Sequence, residues 1–198
     1  MRSIEQSLVF GNAEIMMVHV EIKSNEVDLK FICNNINISI SYLPTETGCS
    51  IKCFWNEMHL ENRDFLIAGM EDLSNLLANQ SNLIPSFDLR YEGSESSEFI
   101  ENSLGILVTL LKFVEKPIKV EKFLMDIIDQ DQALKTLPLI DSNFVKEITL
   151  INRKEKKGVL EIHKLLDLEQ WRTAKKIHVK GFIVSCNNFD QFTKINII

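Results

Sequence analysis

Residues 165–179, LLDLEQWRTAKKIHV, carry the pattern that decides the fold. The leucines and Trp171 in the first part recur at helical spacing, which predicts a helix with one apolar side and places Trp171 in the core rather than at a binding platform. The second part changes to the order apolar-x-x-apolar-x-apolar, which indicates a strand with one buried face. The three apolar positions of this phrase are Ala174, Ile177 and Val179.

The same phrase occurs five times, and a helix-like segment precedes four of the copies. Such repetition predicts stacked helix–strand units in which the three apolar positions point toward the helices and the strands run parallel. Two of the intervals between copies are typical of leucine-rich repeats. The other copies are Ile84, Phe87 and Leu89; Val120, Phe123 and Met125; Val145, Ile148 and Leu150; and Phe192, Ile195 and Ile197.

The N-terminal part of the chain predicts a different sheet. Residues 13–56 alternate apolar and polar side chains and are divided by short turn signals such as Asn34-Asn35, which favours an antiparallel meander. The predicted fold class is therefore α/β, with an N-terminal antiparallel β meander followed by leucine-rich-repeat-like units. We expect residues 1–60 to form the β segment and residues 61–198 the helix–strand repeat, as one continuous structural unit.

Helices and strands then alternate toward the C-terminus. Helical spacing predicts a first helix from Asn62, as N-cap, to Gln80, and further helices over residues 99–114 and 130–137. We expect another helix from Gly158 to Thr173 and a strand over residues 176–184. The polar segment 92–98 reads as a surface loop, long enough to separate the two halves.

Composition narrows the classes of partner. The 198 residues carry a net charge of −6, which argues against nucleic acid or an anionic membrane as the main partner. We find no signal peptide and no apolar run long enough to span a bilayer, so we expect an intracellular protein with reduced cysteines. Cys49 and Cys53 share one face of a strand, where we expect burial rather than a metal site.

The search for catalytic motifs finds no glycine-rich phosphate loop, no nucleophile elbow and no zinc dyad. The four histidines are far apart in sequence. Acidic residues at Asp126, Asp129 and Asp131 favour a solvated turn over a cation site. The sequence therefore predicts a protein that is not an enzyme, with no catalytic residue, no cofactor and no metal.

Residues 169–175, EQWRTAK, resemble the EQWKxAK phrase of the FTH domain, which follows the F-box in the F-box A family of nematodes. Leu137-Pro138 together with residues 144–150 is similar to a second segment of that family, and residues 188–197 resemble its C-terminal segment. Weaker similarity extends upstream to residue 36. F-box members of the family look like substrate-receptor subunits of cullin-RING ubiquitin ligases, so the resemblance implies a protein-binding domain in the cytoplasm or nucleus.

Residues 1–35 are too few and too strand-like for an F-box, which is a helical module. We therefore expect an unidentified protein target as partner and no binding to the ligase adaptor. A naturally truncated paralogue, a decoy and an incomplete gene model all fit this expectation.

The candidate binding surface is the strand face that points away from the helices. Leu124 and Ile151 are apolar residues expected at its centre, where they would anchor a partner. The alternatives are a second layer that covers this face, a small hydrolase or transferase that uses His163 or His178 with an acid, and a structural paralogue with no partner. The predicted protein-binding residues are Asp88, Arg90, Leu124, Asp126, Thr149, Ile151, His178 and Lys180.

Overall fold

The computed structural model describes residues 14–92, 95–114, 116–155, 158–185 and 195–197. Within these ranges the chain is a mixed α/β structure in which several helices pack on one large sheet. The strands are β1 (Ile15–Lys23), β2 (Glu26–Cys33), β3 (Ile36–Thr45), β4 (Gly48–Cys53), β5 (Asn56–Glu61), β6 (Ile84–Tyr91), β7 (Val120–Asp126), β8 (Glu147–Ile151), β9 (Gly158–Glu161), β10 (Lys176–Lys180), β11 (Phe182–Ser185) and β12 (Ile195–Ile197). The helices are α1 (Phe65–Asn79), α2 (Ser97–Lys112), α3 (Gln130–Thr136), α4 (Ile162–Leu165) and α5 (Glu169–Thr173), with a 3-10 turn at Leu137–Leu139.

The large sheet joins both halves of the chain. Its described strands have the order β12-β10-β8-β7-β6-β1-β2-β3-β4-β5. The strands from β1 to β5 pair antiparallel, as predicted for the meander. The strands from β6 to β12 pair parallel, and β1 also pairs parallel with β6. The division of the chain near residue 60 stays a prediction.

The recurring phrase forms the helix-facing side of the parallel strands. All three apolar positions of each of the first four copies are buried, with no more than 3% of any side chain exposed. Phe87 and Phe123, the central residues of the first two copies, pack edge to face with ring centroids 5.6 Å apart. The last copy begins at Phe192, which lies outside the described residues, although its strand β12 pairs with β10 as expected.

The two-residue turn between β2 and β3 sets the pairing register of these two strands. Asn34 and Asn35 both adopt positive φ, of 49° and 64°, which a two-residue hairpin turn requires and which asparagine tolerates better than most residues. On the helix side, Gly69 of α1 lies against Val27 and Tyr42, where a Cβ would come within 3.0 Å of Val27. This close approach seats α1 on β2 and β3.

Three predicted elements differ from the structure, namely the first helix, the helix over residues 158–173 and the strand over residues 176–184, and β5 is an additional strand. Strand β5 lies beyond residue 56, where the predicted strands end, although Met58 and Leu60 alternate with polar residues. Helix α1 begins later than predicted, since the N-cap is Asp64, whose carboxylate accepts hydrogen bonds from the amides of Leu66 and Ile67. Asn62 instead has a φ of 56°.

The helix predicted from Gly158 to Thr173 is wrong in its first part. Residues Gly158–Glu161 form β9, which pairs with β11 in a separate two-stranded sheet. The remainder divides into α4 and α5, since Leu168 adopts an extended conformation at the N-cap of α5. Pairing with β11, which lies more than 20 residues later in the chain, is a contact that helical spacing does not encode.

The strand predicted over residues 176–184 is divided at Gly181, where the chain leaves the large sheet. Gly181 has a φ of +74°, and a Cβ at this position would lie 2.2 Å from the carbonyl oxygen of Asn152. The amide of Asn152 in turn donates to the carbonyl of Lys180 at 2.9 Å. Only glycine meets both conditions, positive φ and close backbone approach.

We expect Gly181→Ala to lower the free energy of unfolding by about 2–4 kcal/mol, since the left-handed conformation and the overlap with Asn152 both oppose a side chain. Gly105→Ala is the matched control, because no atom lies within 4 Å of its Cβ position. In the interior of α2 that change should stabilise by about 0.5–1 kcal/mol. Urea unfolding followed by circular dichroism measures both, and equal stability of the two variants would contradict the prediction.

Candidate functional site

The predicted binding residues lie in two adjacent rows on the face of the large sheet that is turned away from the helices, here called the open face. In the first row Asp88 pairs with Leu124, Leu124 with Thr149, and Thr149 with His178. In the second row Asp126 pairs with Ile151, and Ile151 with Lys180. Arg90 follows at the same level on β6, because Leu89 pairs with Met125. The parallel register thus brings residues from four strands together.

The apolar residues at the centre of these rows are accessible in part. Leu124, Thr149 and Ile151 are half-buried, whereas the alternate residues of the same strands are fully buried. Half-burial of a leucine and an isoleucine in the middle of a strand face leaves apolar surface in contact with solvent. Their role as anchors stays a prediction.

The carboxylate of Asp88 in the first row contacts three polar side chains. Its carboxylate accepts from Arg90 Nη2 at 2.9 Å and from Ser86 Oγ at 3.3 Å, and it lies 3.7 Å from His19 Nδ1. At the far end of the row, His178 Nε2 lies 3.5 Å from Glu147 Oε1. These pairs fix the polar side chains around the apolar centre.

Three lysines border the apolar centre and are exposed. Lys122 precedes Leu124 on the same side of β7, and Lys176 and Lys180 flank His178 on β10. The ion pairs formed among the described residues do not include these three lysines. Their ammonium groups are therefore available to carboxylates of a partner.

Asp126 is not exposed, which corrects the prediction for this residue. Its side chain is 4% exposed and lies beneath Arg153, whose Nε donates to Asp126 Oδ2 at 2.7 Å. The amide of Tyr91 donates to the same oxygen at 3.2 Å. The residue stands at the carboxyl end of β7, where the following loops fold over it, so periodicity of two within the strand overestimates its exposure.

Burial raises the pKa of the Asp126 carboxyl, and the hydrogen bond and charge of Arg153 oppose that rise. A carboxyl with a raised pKa binds its proton more tightly in the folded state than in the unfolded state. The contribution of Asp126 to stability is therefore greatest below its unfolded pKa and is lost as pH rises through its folded pKa.

We expect the difference in unfolding free energy between wild type and Asp126→Asn to fall as pH rises from 3 and then become constant. Arg153→Gln should extend that fall to higher pH, because removing the guanidinium raises the pKa of Asp126 further. Urea unfolding at a series of pH values provides the measurement. A difference that grows with pH would contradict the prediction.

The acid–histidine pairs that would favour a hydrolase lie at the surface. The His178–Glu147 pair is on the open face, and His163 Nε2 lies 3.9 Å from Glu161 with both side chains exposed. A shallow hollow beside Asp126 and Arg153 has no histidine in its lining. The side chains of both pairs are therefore in contact with solvent.

Of the two cysteines expected to be buried on β4, Cys49 is buried and Cys53 only partly so. Cys33 is also buried, and burial raises the pKa of each thiol. Among the described residues, no three metal-ligating side chains cluster. Cys186 lies outside the described residues. Across the same ranges, no helix has the length and apolar character needed to cross a bilayer.

Sequence reasoning missed that the meander extends the open face. His19 pairs with Asp88 on one side and with Lys30 on the other, so the first row continues across β1 and β2. The alternation within β1 puts His19 and Glu21 on one strand face, but nothing local indicates which strand lies beside it. Pairing between β1 and β6, far apart in sequence, is a property of the assembled sheet.

Residues 101–198 match the model of the FTH domain family. The matched region runs from within α2 to the end of the chain and includes three of the four strands that carry the predicted residues. No curated protein and no solved structure gives a significant match to the chain. Residues 101–198 of this chain, with strands β7, β8 and β10 of the open face, thus belong to the FTH domain family.

Proposed function

We propose that this protein is a non-enzymatic protein-interaction module that binds its partner on the open face. The observation that carries the proposal is the pair of rows in which half-buried Leu124 and Ile151 are surrounded by fixed polar side chains and by exposed lysines. A central apolar anchor with a polar rim is the usual arrangement of a protein interface. The matching partner surface would carry an apolar side chain between carboxylates.

The match to the FTH family supports a role in protein binding. FTH domains are associated with F-box proteins, and we infer that this chain resembles the substrate-binding part of a ubiquitin-ligase receptor without an F-box. Described residues 14–61 form strands and turns, which is consistent with that reading. We further propose that the units from β6 onward stack in the manner of leucine-rich repeats, and that the protein acts in the cytoplasm or nucleus of a nematode cell.

A second candidate rests on the His178–Glu147 pair. A hydrolase or transferase would use His178 as a general base oriented by Glu147, but the 3.5 Å separation exceeds a good hydrogen bond for this pair. A third reading is a structural paralogue that has no partner. Binding experiments separate both from the leading proposal.

The test is affinity capture from nematode extract with the whole chain as bait, scored by mass spectrometry against the variant Leu124→Asp with Ile151→Asp. A protein that the wild type recovers and the variant does not, in the absence of the ligase adaptor, would support the proposal. Recovery of the adaptor would show a docking surface of another kind and would contradict the receptor-without-F-box reading. Equal recovery by both baits would place the binding surface elsewhere.

A further inference from the structure

Strand β5 is the last strand of the large sheet in the described part of the chain. The amide of Asn62 donates to the carbonyl of Thr47 at 2.7 Å, which fixes the hydrogen-bonding alternation of the β4–β5 ladder. Asn56, Met58 and Leu60 therefore direct their backbone groups toward β4. Glu57, His59 and Glu61 direct their N–H and C=O groups outward, where a further strand would pair.

The two faces of β5 differ in the charge of their side chains. Glu57, His59 and Glu61 are exposed on the open-face side, and Met58 with the partly buried Leu60 lies on the helix side. Lys52 is 3.8 Å from Glu57, with about half or more of each side chain exposed, so this pair neutralises the edge only weakly. The edge thus presents acidic groups on one side and apolar groups on the other.

The turn before β5 carries two exposed aromatic residues. Trp55 is 90% exposed and Phe54 is 56% exposed, with ring centroids 5.8 Å apart. Phe54 also has a φ of 55°, a conformation that is costly for a bulky side chain. The two-residue turn between β4 and β5 requires this φ, as the turn at Asn34 does.

Natural proteins protect free sheet edges with lysine, proline or a bulge. Residues 56–61, NEMHLE, contain no lysine or proline, and the β4–β5 register is regular along its length. The protection that remains is negative charge. Glutamate repels an acidic strand and attracts a basic one, so the edge is selective rather than closed.

We propose that the β5 edge accepts an extended segment of a partner protein as an added strand, in which basic residues alternate with apolar residues. The basic side chains lie beside Glu57 and Glu61, and the apolar side chains lie beside Met58 and Leu60. Main-chain hydrogen bonds to Glu57, His59 and Glu61 provide affinity, and the alternation provides specificity. Trp55 and Phe54 cover the end of the added strand. This surface is separate from the open-face site, and either can fail alone.

The probe is a synthetic peptide of seven alternating lysine and valine residues with blocked ends, compared with the same peptide carrying glutamate for lysine. We expect the lysine peptide, at millimolar concentration, to shift the backbone amide signals of Glu57, His59 and Glu61 in nuclear magnetic resonance spectra. The glutamate peptide should leave them unchanged. Glu57→Lys combined with Glu61→Lys should reverse the preference between the two peptides.

His59→Pro removes one outward N–H without removing a bond to β4, since the backbone of His59 points away from that strand. It should keep the fold and lower affinity for the lysine peptide at least about fivefold, the equivalent of one lost hydrogen bond. His59→Ala is the matched control and should keep most of the affinity. Equal binding by the proline and alanine variants would overturn strand addition.

Amide exchange of the free protein supplies the second measurement. We expect fast exchange at Glu57, His59 and Glu61 and slow exchange at Met58. Slow exchange at all four amides would mean that the edge is already occupied by another part of the chain, and concentration-dependent dimerisation in sedimentation would mean that a second copy occupies it. Either result, or no response to the lysine peptide, would overturn the proposal.

Discussion

Replacing Trp171 with alanine is expected to lower the free energy of unfolding by about 3–5 kcal/mol. The indole is 1% exposed and is the largest of the fully buried side chains. It lies on α5, a helix of five residues that is too short to be stable without tertiary contacts. Loss of the indole therefore removes the main apolar attachment of α5 to the core.

The surroundings of α5 show why the effect should spread to the sheet. Gln170 Nε2 donates to the carbonyl of Ile140 at 2.8 Å, and Thr173 Oγ1 donates to the carbonyl of Ser142 at 3.0 Å. The amides of Lys175 and Lys176 both donate to the carbonyl of Lys146, directly before β8. A displaced α5 would disturb these bonds and with them the start of the β8–β10 pairing.

Trp171→Phe is the matched control. Trp171 Nε1 is buried and finds no hydrogen-bond partner in the described part of the structure, so phenylalanine removes volume without breaking a hydrogen bond. We expect a loss of about 1 kcal/mol. Urea unfolding followed by circular dichroism is suited to both variants, since the remaining tryptophan, Trp55, is 90% exposed and reports poorly on the core. A loss below 1 kcal/mol for the alanine variant would show that Trp171 does not hold α5.

Leu124→Asp combined with Ile151→Asp is expected to reduce partner binding at least about 30-fold, the effect of losing one interface hot spot. The two residues come from neighbouring strands and lie in adjacent rows of the open face. Each becomes a charge where the partner would otherwise exclude water. Leu124 pairs with Asp88, so the new carboxylate also adds a like charge to the first row.

The fold of this double variant should survive, because both side chains already contact solvent in part. Its control is Phe113→Asp with Val159→Asp, which changes two residues that are 81% and 53% exposed and are not part of the large sheet. Titration of the captured partner by isothermal calorimetry compares the variants, with circular dichroism as the check on folding. Unfolding of the double variant would show that Leu124 and Ile151 belong to the core.

The parallel part of the sheet could be predicted because the recurring order apolar-x-x-apolar-x-apolar shows both which residues form a strand and which of them face the helices. Every apolar position from Ile84 to Val179 in the four described copies is buried as expected, since burial of one strand face imposes a fixed spacing. The strands of the meander follow from alternation for the same reason. The likeness to leucine-rich repeats is a finer statement that no solved structure supports by similarity.

The parts that sequence could not predict depend on contacts distant in the chain. Gly158–Glu161 becomes a strand because β11 lies beside it, and β5 forms although its side chains are exposed. Asp126 is buried by Arg153, a residue 27 positions later. The local pattern predicted that Asp126 faces away from the helices, but loop packing over the strand ends decides its exposure.

The most direct test of the central proposal is hydroxyl-radical footprinting of this protein alone and in complex with its captured partner. We predict that the complex protects Leu124, Ile151 and His178 on the open face and leaves Phe113, at the end of α2, as reactive as in the free protein. Protection of Phe113 with unchanged reactivity of Leu124 and Ile151 would place the partner on the helix side and contradict the proposal.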